Sequence, residues 1–207
     1  MKETSFFRLF IEKIETKNVL LCTNPFYKKK KMTTDRPVSI QEQAMRFGTY
    51  MGVFWIIKFI FLPLGFSFPL LQLCFVLCTL FVPVLGYLYT RKFRNTCCGG
   101  TVSFSRAFLF TVCMYIFAAM LTAVAHYIYF QFIDQGFLMD MYRQQLNETM
   151  QMVQGDLANS MEQIMIAFDT VAALTPIQLT FQLISQNVFY GIVLSLPTAL
   201  LTMRYKK

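Results

Sequence analysis

AFLFTVCMYIFAAMLTAVAHYIYFQFI, residues 107–133, runs without a single Asp, Glu, Lys or Arg. An α-helix rises about 1.5 Å per residue, so about 20 apolar residues are enough to cross the hydrocarbon core of a bilayer. Two more stretches are equally free of formal charge, Phe59 to Thr90 and Thr170 to Met203. In a chain of 207 residues that is 56% hydrophobic and 14% charged, these runs predict an all-α polytopic membrane protein with four transmembrane helices. The helices are expected at Thr49 to Leu64, Pro69 to Tyr89, Phe104 to Phe132 and Pro176 to Met203. Only Gly65-Phe66-Ser67-Phe68 separates the first two, so they should form an antiparallel hairpin closed by a tight turn.

The charges between the spans are sorted by sign. Arg91, Lys92, Arg94 and Arg106 surround the link between the second and third helices, with no acid among them, and Arg204, Lys206 and Lys207 form the C-terminal tail. By the positive-inside rule this loop and this tail are cytoplasmic, and an even number of spans puts the N-terminus there too, in agreement with Arg36 and Arg46. The segment between the third and fourth helices holds Asp134, Asp140, Glu148, Asp156, Glu162 and Asp169 against one base, Arg143, and is expected outside. Tyr87 and Tyr89 at one end and Tyr127 and Tyr129 at the other fit the two aromatic belts.

The chain thus divides into a leader (1–31), a cytoplasmic N-terminal segment (32–48), and helices 1–3 with a basic cytoplasmic loop at 90–103 (49–132). An extracytoplasmic helical insertion (133–175) follows, then helix 4 with its basic cytoplasmic tail (176–207). The leader differs in composition from everything after it. It ends in Lys28-Lys29-Lys30-Lys31 directly before Met32, which reads as a mis-called start, with the natural chain beginning at Met32. Without it the net charge falls from +8 to +3. The alternative is a basic arm for anionic lipid or nucleic acid. A secretory signal is not expected, because Arg8, Glu12 and Lys13 interrupt any apolar core.

Side chains able to do chemistry are few. The cysteines, at 22, 74, 78, 97, 98 and 113, lie in the leader, within spans or in the cytoplasmic loop, and neither a disulfide framework nor a zinc site follows from their spacing. Methionines 139, 141, 150, 152, 161 and 165 include two M-x-M pairs, the pattern of a Cu(I) site. On a helix, however, residues i and i+2 point about 200° apart, and Met is ordinary filler for adaptable apolar surfaces. No metal or cofactor is expected. Asn147-Glu148-Thr149 matches a glycosylation acceptor, a motif too short to carry weight.

Two constellations stand out. Lys58, Gln72, His126, Gln178, Gln182 and Gln186 all fall in the outer halves of the spans, as an outward-facing polar crevice would require, although amides in spans also serve as interhelical hydrogen-bonding groups. The second is an apolar stripe, Leu146, Met150, Val153, Leu157, Met161, Ile164, Phe168 and Val171, at a mean spacing close to one helical turn. It predicts two amphipathic helices, with Gly155-Asp156 supplying a helix end and an N-cap between them.

Certain segments also resemble a known family: Gly48-Thr49-Tyr50-Met51-Gly52, Val102-Ser103-Phe104-Ser105-Arg106-Ala107-Phe108, Tyr129-Phe130-Gln131-Phe132-Ile133-Asp134 before a Met- and Gln-rich pair of helices, and Gly191-Ile192-Val193-Leu194-Ser195-Leu196 before a basic tail. From about Ser39 to Lys207 the chain is similar to the small bacterial four-helix membrane proteins called domain of unknown function (DUF) 4199. Ser105 stands where such proteins usually have Gly. The resemblance implies the architecture and the bacterial cytoplasmic (inner) membrane, and brings no activity or catalytic residues.

The function expected is therefore that of an interaction or assembly protein acting through its external helical segment. Its partners would be the lipid bilayer and either a second copy or another membrane protein, not nucleic acid. The rival is a carrier or sensor that binds a small ligand in the crevice. An enzyme is not expected, because no nucleophile, base and acid fall together and no phosphate loop is present.

Overall fold

The computed structural model describes residues 39–205. The expectations placed on residues 1–31, the start at Met32 included, lie outside the described residues. The helices are α1 (Ile40–Gly65), α2 (Pro69–Cys97), α3 (Phe104–Ile128), α4 (Phe137–Met152), α5 (Asp156–Ala172) and α6 (Pro176–Thr202), with a π-helical turn over Tyr129–Asp134 extending α3. Four are long and apolar enough to cross a membrane: Ile40–Gly65, Pro69–Cys97, Phe104–Asp134 and Pro176–Thr202.

The four spans pack as a ring in the order α1, α2, α6, α3, with α3 the most deeply buried. Small residues set the spacing. A Cβ at Gly48 would come within 2.8 Å of the Met114 carbonyl oxygen, and one at Gly52 within 3.2 Å of that of Ala118, so α1 lies directly against the backbone of α3. Tyr115 of α3 fills the centre. Its ring stacks on Trp55 of α1 at 6.0 Å, and it reaches Gly86 of α2 and Gly191 of α6, both of which make room for it. Hydrocarbon offers no hydrogen bonds, so the buried threonine and serine hydroxyls are satisfied locally. Thr90, Thr111, Thr122, Ser195, Thr198 and Thr202 each donate to the carbonyl one turn earlier.

Two boundaries differ from those expected. α1 begins at Ile40 rather than Thr49, because Gln43, Ala44 and Phe47 pack into the bundle while the polar neighbours Gln41 and Glu42 face out. α2 runs past Tyr89 to Cys97, carrying Arg91, Lys92 and Arg94 on helix instead of loop. The cause is packing beyond the apolar zone: Phe93 stacks on Phe110 at 4.1 Å, and Arg94, also buried, donates from Nη1 to the Thr202 carbonyl at the end of α6. That carbonyl is one of the four a helix leaves open at its C-terminus, where a cation is favoured. The remaining link turns through Gly99 (φ 61°) and Gly100 (φ 86°) and pairs with the tail by two 3.0 Å backbone hydrogen bonds between Val102 and Arg204.

Candidate functional site: the hairpin end

At the opposite end, α4 and α5 form a hairpin between α3 and α6. Its placement begins in the π-helical turn, a wider coil that accommodates one more residue per turn and is frequent at functional sites. Asp134 at the end of this turn is 5% exposed and accepts the Leu138 N–H at 3.1 Å, capping the first turn of α4. Gln135 (φ 46°) and Gly136 (φ 93°) then reverse the chain in left-handed backbone, the second a conformation that favours glycine.

The reversal sends α4 back across the bundle. Leu138, Phe130 and Leu179 make a small core of their own, bordered by Phe59, Leu62, Phe66, Met139, Tyr142, Val171 and Leu174. Tyr142 meets Phe66 of the α1–α2 turn edge-on at 5.0 Å, and burial pushes its phenol pKa up. Between the two helices Arg143 bonds Asp169 at 2.8 Å and lies over the Phe168 ring. The break falls where Gly155-Asp156 predicts it, although Gly155 (φ 68°) takes the N-cap position and Asp156 opens α5.

Beyond this base the hairpin has little cover. Within the apolar stripe Leu146, Met150, Val153, Met161 and Phe168 are half-buried, while Leu157 is 62% exposed and Ile164 is exposed as well. Met152 at the tip is 83% exposed, and Ile166 is also open.

The residues of the expected crevice lie in different local settings. Lys58 Nζ sits 5.3 Å from the Phe75 ring centroid, and the neighbouring Phe59 ring packs against His126 at 4.3 Å. His126 is buried, and its Nδ1 has no hydrogen-bond partner among the described residues, as is also true of Trp55 Nε1 and Tyr115 Oη. Gln72 is folded against Gly65 at the α1–α2 turn. Gln178 closes a capping box, its Oε1 accepting from the Thr175 backbone and hydroxyl at 2.9 Å each. Gln182 and Gln186 are exposed on the flank of α6.

Two clefts open at this end. One, of about 340 Å³, lies among Phe130, Asp134, Asp140, Arg143, Leu174 and Leu179, and the other, of about 490 Å³, beside Gly65, Gln72, Val76 and Gln145. Both fall in the size range of small-molecule sites. In the first, however, Asp134 is committed to the α4 cap and Arg143 to Asp169. Of the expected crevice residues only Gln72 lines either cleft. Among the described residues no three His, Cys, Asp or Glu side chains converge on one point. The sequence signal for this end was Asp134-Gln135-Gly136, an acid and a glycine in front of a helical pattern; nothing in the sequence marked the base contacts made by Tyr142 and Phe66.

No curated protein and no solved structure matches the chain. The model of a family described as proteins of unknown function, DUF4199, matches residues 46–204, which is most of the sequence, and the chain belongs to that family.

Proposed function

We propose that this is a non-catalytic protein of the bacterial cytoplasmic membrane that captures another protein through its α4–α5 hairpin. The observation that carries the proposal is the contrast within that hairpin. Its base is fastened by Leu138, Tyr142 and the Arg143–Asp169 pair, while Leu157 and Ile164 on the apolar stripe are left uncovered. Exposed apolar area of this kind, rimmed by charge, marks interaction surfaces. In sequence the segment carries Asp140, Glu148, Asp156, Glu162 and Asp169 against Arg143 alone, so the partner is one that offers an apolar face with basic neighbours. The base of the hairpin is held in place beforehand, which limits part of the ordering cost on binding.

The carrier reading has less support. Its ligands would have to reach His126 through a packed shell of Phe59, Tyr129 and Phe130, and its amides lie in different local settings. A pair of variants separates the two. Leu157→Asp puts a charge where desolvation is costly and leaves the spans intact, so it should abolish partner capture and reproduce the deletion phenotype at normal membrane levels. Lys58→Met should behave as wild type. If Lys58→Met reproduces the deletion and Leu157→Asp is silent, the ligand reading replaces the docking one.

The orientation places the hairpin outside and both termini in the cytoplasm, supported by the gathering of Arg91, Lys92, Arg94, Arg106 and Arg204 at the other end. An impermeant thiol reagent applied to intact cells should label Asn147→Cys and leave Tyr205→Cys untouched. The reverse pattern would invert the protein.

A further inference from the structure

Gln182 and Gln186 stand on the outside of the bundle, exposed, on a span. Neither side chain has a hydrogen-bond partner among the described residues, unlike Gln178, which is used in the capping box, and Ser185, which bonds the Phe181 carbonyl at 3.0 Å. Their depth makes this consequential. Gln182 and Gln186 lie about 9 and 15 Å along the helix from Pro176, at about 1.5 Å per residue. Tyr115 contacts both Gly86 and Gly191, which sets α2 and α6 side by side, so Gln186 is level with Phe81 in the middle of α2. In a core about 30 Å thick that is close to the midplane. A glutamine there is too short to reach a head group, and lipid chains supply no hydrogen bond.

The exposed seam continues from these amides through Phe189, Val193, Leu196 and Leu200 at alternating steps of four and three. α2 offers the comparison. Its lipid-facing residues Leu70, Leu73, Leu77, Leu80 and Val84 follow the same alternation and are wholly apolar. Such spacing is what any straight exposed helix face shows; the amides are what set α6 apart.

We propose that two copies of this chain associate in the membrane along α6, with Gln182 and Gln186 each paired to its own counterpart. A second copy fits because the side-chain amide is self-complementary, one carbonyl to accept and one NH2 to donate. In a parallel pair related by a two-fold axis along the membrane normal, every residue meets its twin at the same depth. Both amides are then satisfied at once, and the apolar part of the seam packs below them as in a coiled coil. A foreign helix would have to present polar groups at the same two depths. The inference does not depend on the role of the hairpin.

The test uses the full chain in lipid bilayers, with its own cysteines replaced by alanine. Oxidation should link Phe189→Cys into a dimer and leave Leu80→Cys, at an equally exposed site on α2, monomeric. In a dilution series followed by energy transfer, Gln182→Leu/Gln186→Leu should weaken the dimer by nearly tenfold, about threefold for each amide pair. Both positions face lipid, so the double variant should fold, and the emission of Trp55, the one tryptophan, reports that the Tyr115 contact is intact. Several results overturn the proposal: a monomer at all dilutions, equal crosslinking at Leu80, or a dimer unaffected by the double variant but dissolved by Leu157→Asp. So does crosslinking of Phe189→Cys in native membranes to a different protein only.

Discussion

The two ends of the bundle are closed in different ways. At the basic end, contacts tie elements that are distant in sequence: Arg94 to the last turn of α6, Thr90 to Thr111 across the α2–α3 contact at 3.0 Å, Phe93 to Phe110, and Val102 to Arg204. At the hairpin end, fastening stops at the first turns of α4 and the last of α5, and what lies beyond is exposed Met, Leu and Ile. Local stability varies within proteins, and binding segments are drawn from the less stable part. One end is thus closed by contacts between elements far apart in sequence, while the other, beyond the base of the hairpin, is left free to be completed from outside.

The largest effect should come from breaking the centre that both ends share. Gly191→Leu drives a side chain into Tyr115, whose Cβ already lies 2.7 Å from where a Cβ would stand. A loss of about 3 kcal/mol is expected, read by thermal unfolding in detergent. Arg94→Met at the basic end leaves the Thr202 carbonyl without its charged donor, and a loss of about 2 kcal/mol should follow. Arg143→Ala at the hairpin end removes a pair whose partners are 47% and 56% exposed, so less than 1 kcal/mol is expected in the same assay. If Arg143→Ala proved as damaging as Arg94→Met, the contrast between the ends would be lost.

The smallest effect concerns pH. Burial holds the Tyr142 phenol above its ordinary value of 10.0 in the folded state. Ionisation is therefore easier once the hairpin opens: the stabilising contribution is complete below pH about 10 and is lost as pH rises through the higher folded value. Protease cleavage within α4 should increase above pH 10 in the wild type, and Tyr142→Phe should remove that dependence.

Much of this was legible in the sequence, and the reasons differ by region. The spans announce themselves because charge is expelled from hydrocarbon, and the Gly155 break because a glycine and an acid interrupt an otherwise regular apolar spacing. The continuation of α2 through Arg91, Lys92 and Arg94 was hidden, since three bases within four residues look like loop until Phe93 and Arg94 are seen to have partners on α3 and α6. The amides show a different limit. Spacing alone put Gln178, Gln182 and Gln186 on one face of a helix but could not say that the face points away from the bundle, because which side of α6 is buried is decided by Tyr115 at Gly191.

The docking role of the hairpin is tested most directly by the reactivity of one thiol. In a chain without other cysteines, Leu157→Cys should react slowly with maleimide in native membranes, where a partner covers it, and rapidly after the protein has been solubilised and purified, since the site is then open. Equal, rapid reaction in both settings would mean that nothing occupies this surface and would contradict the proposed function.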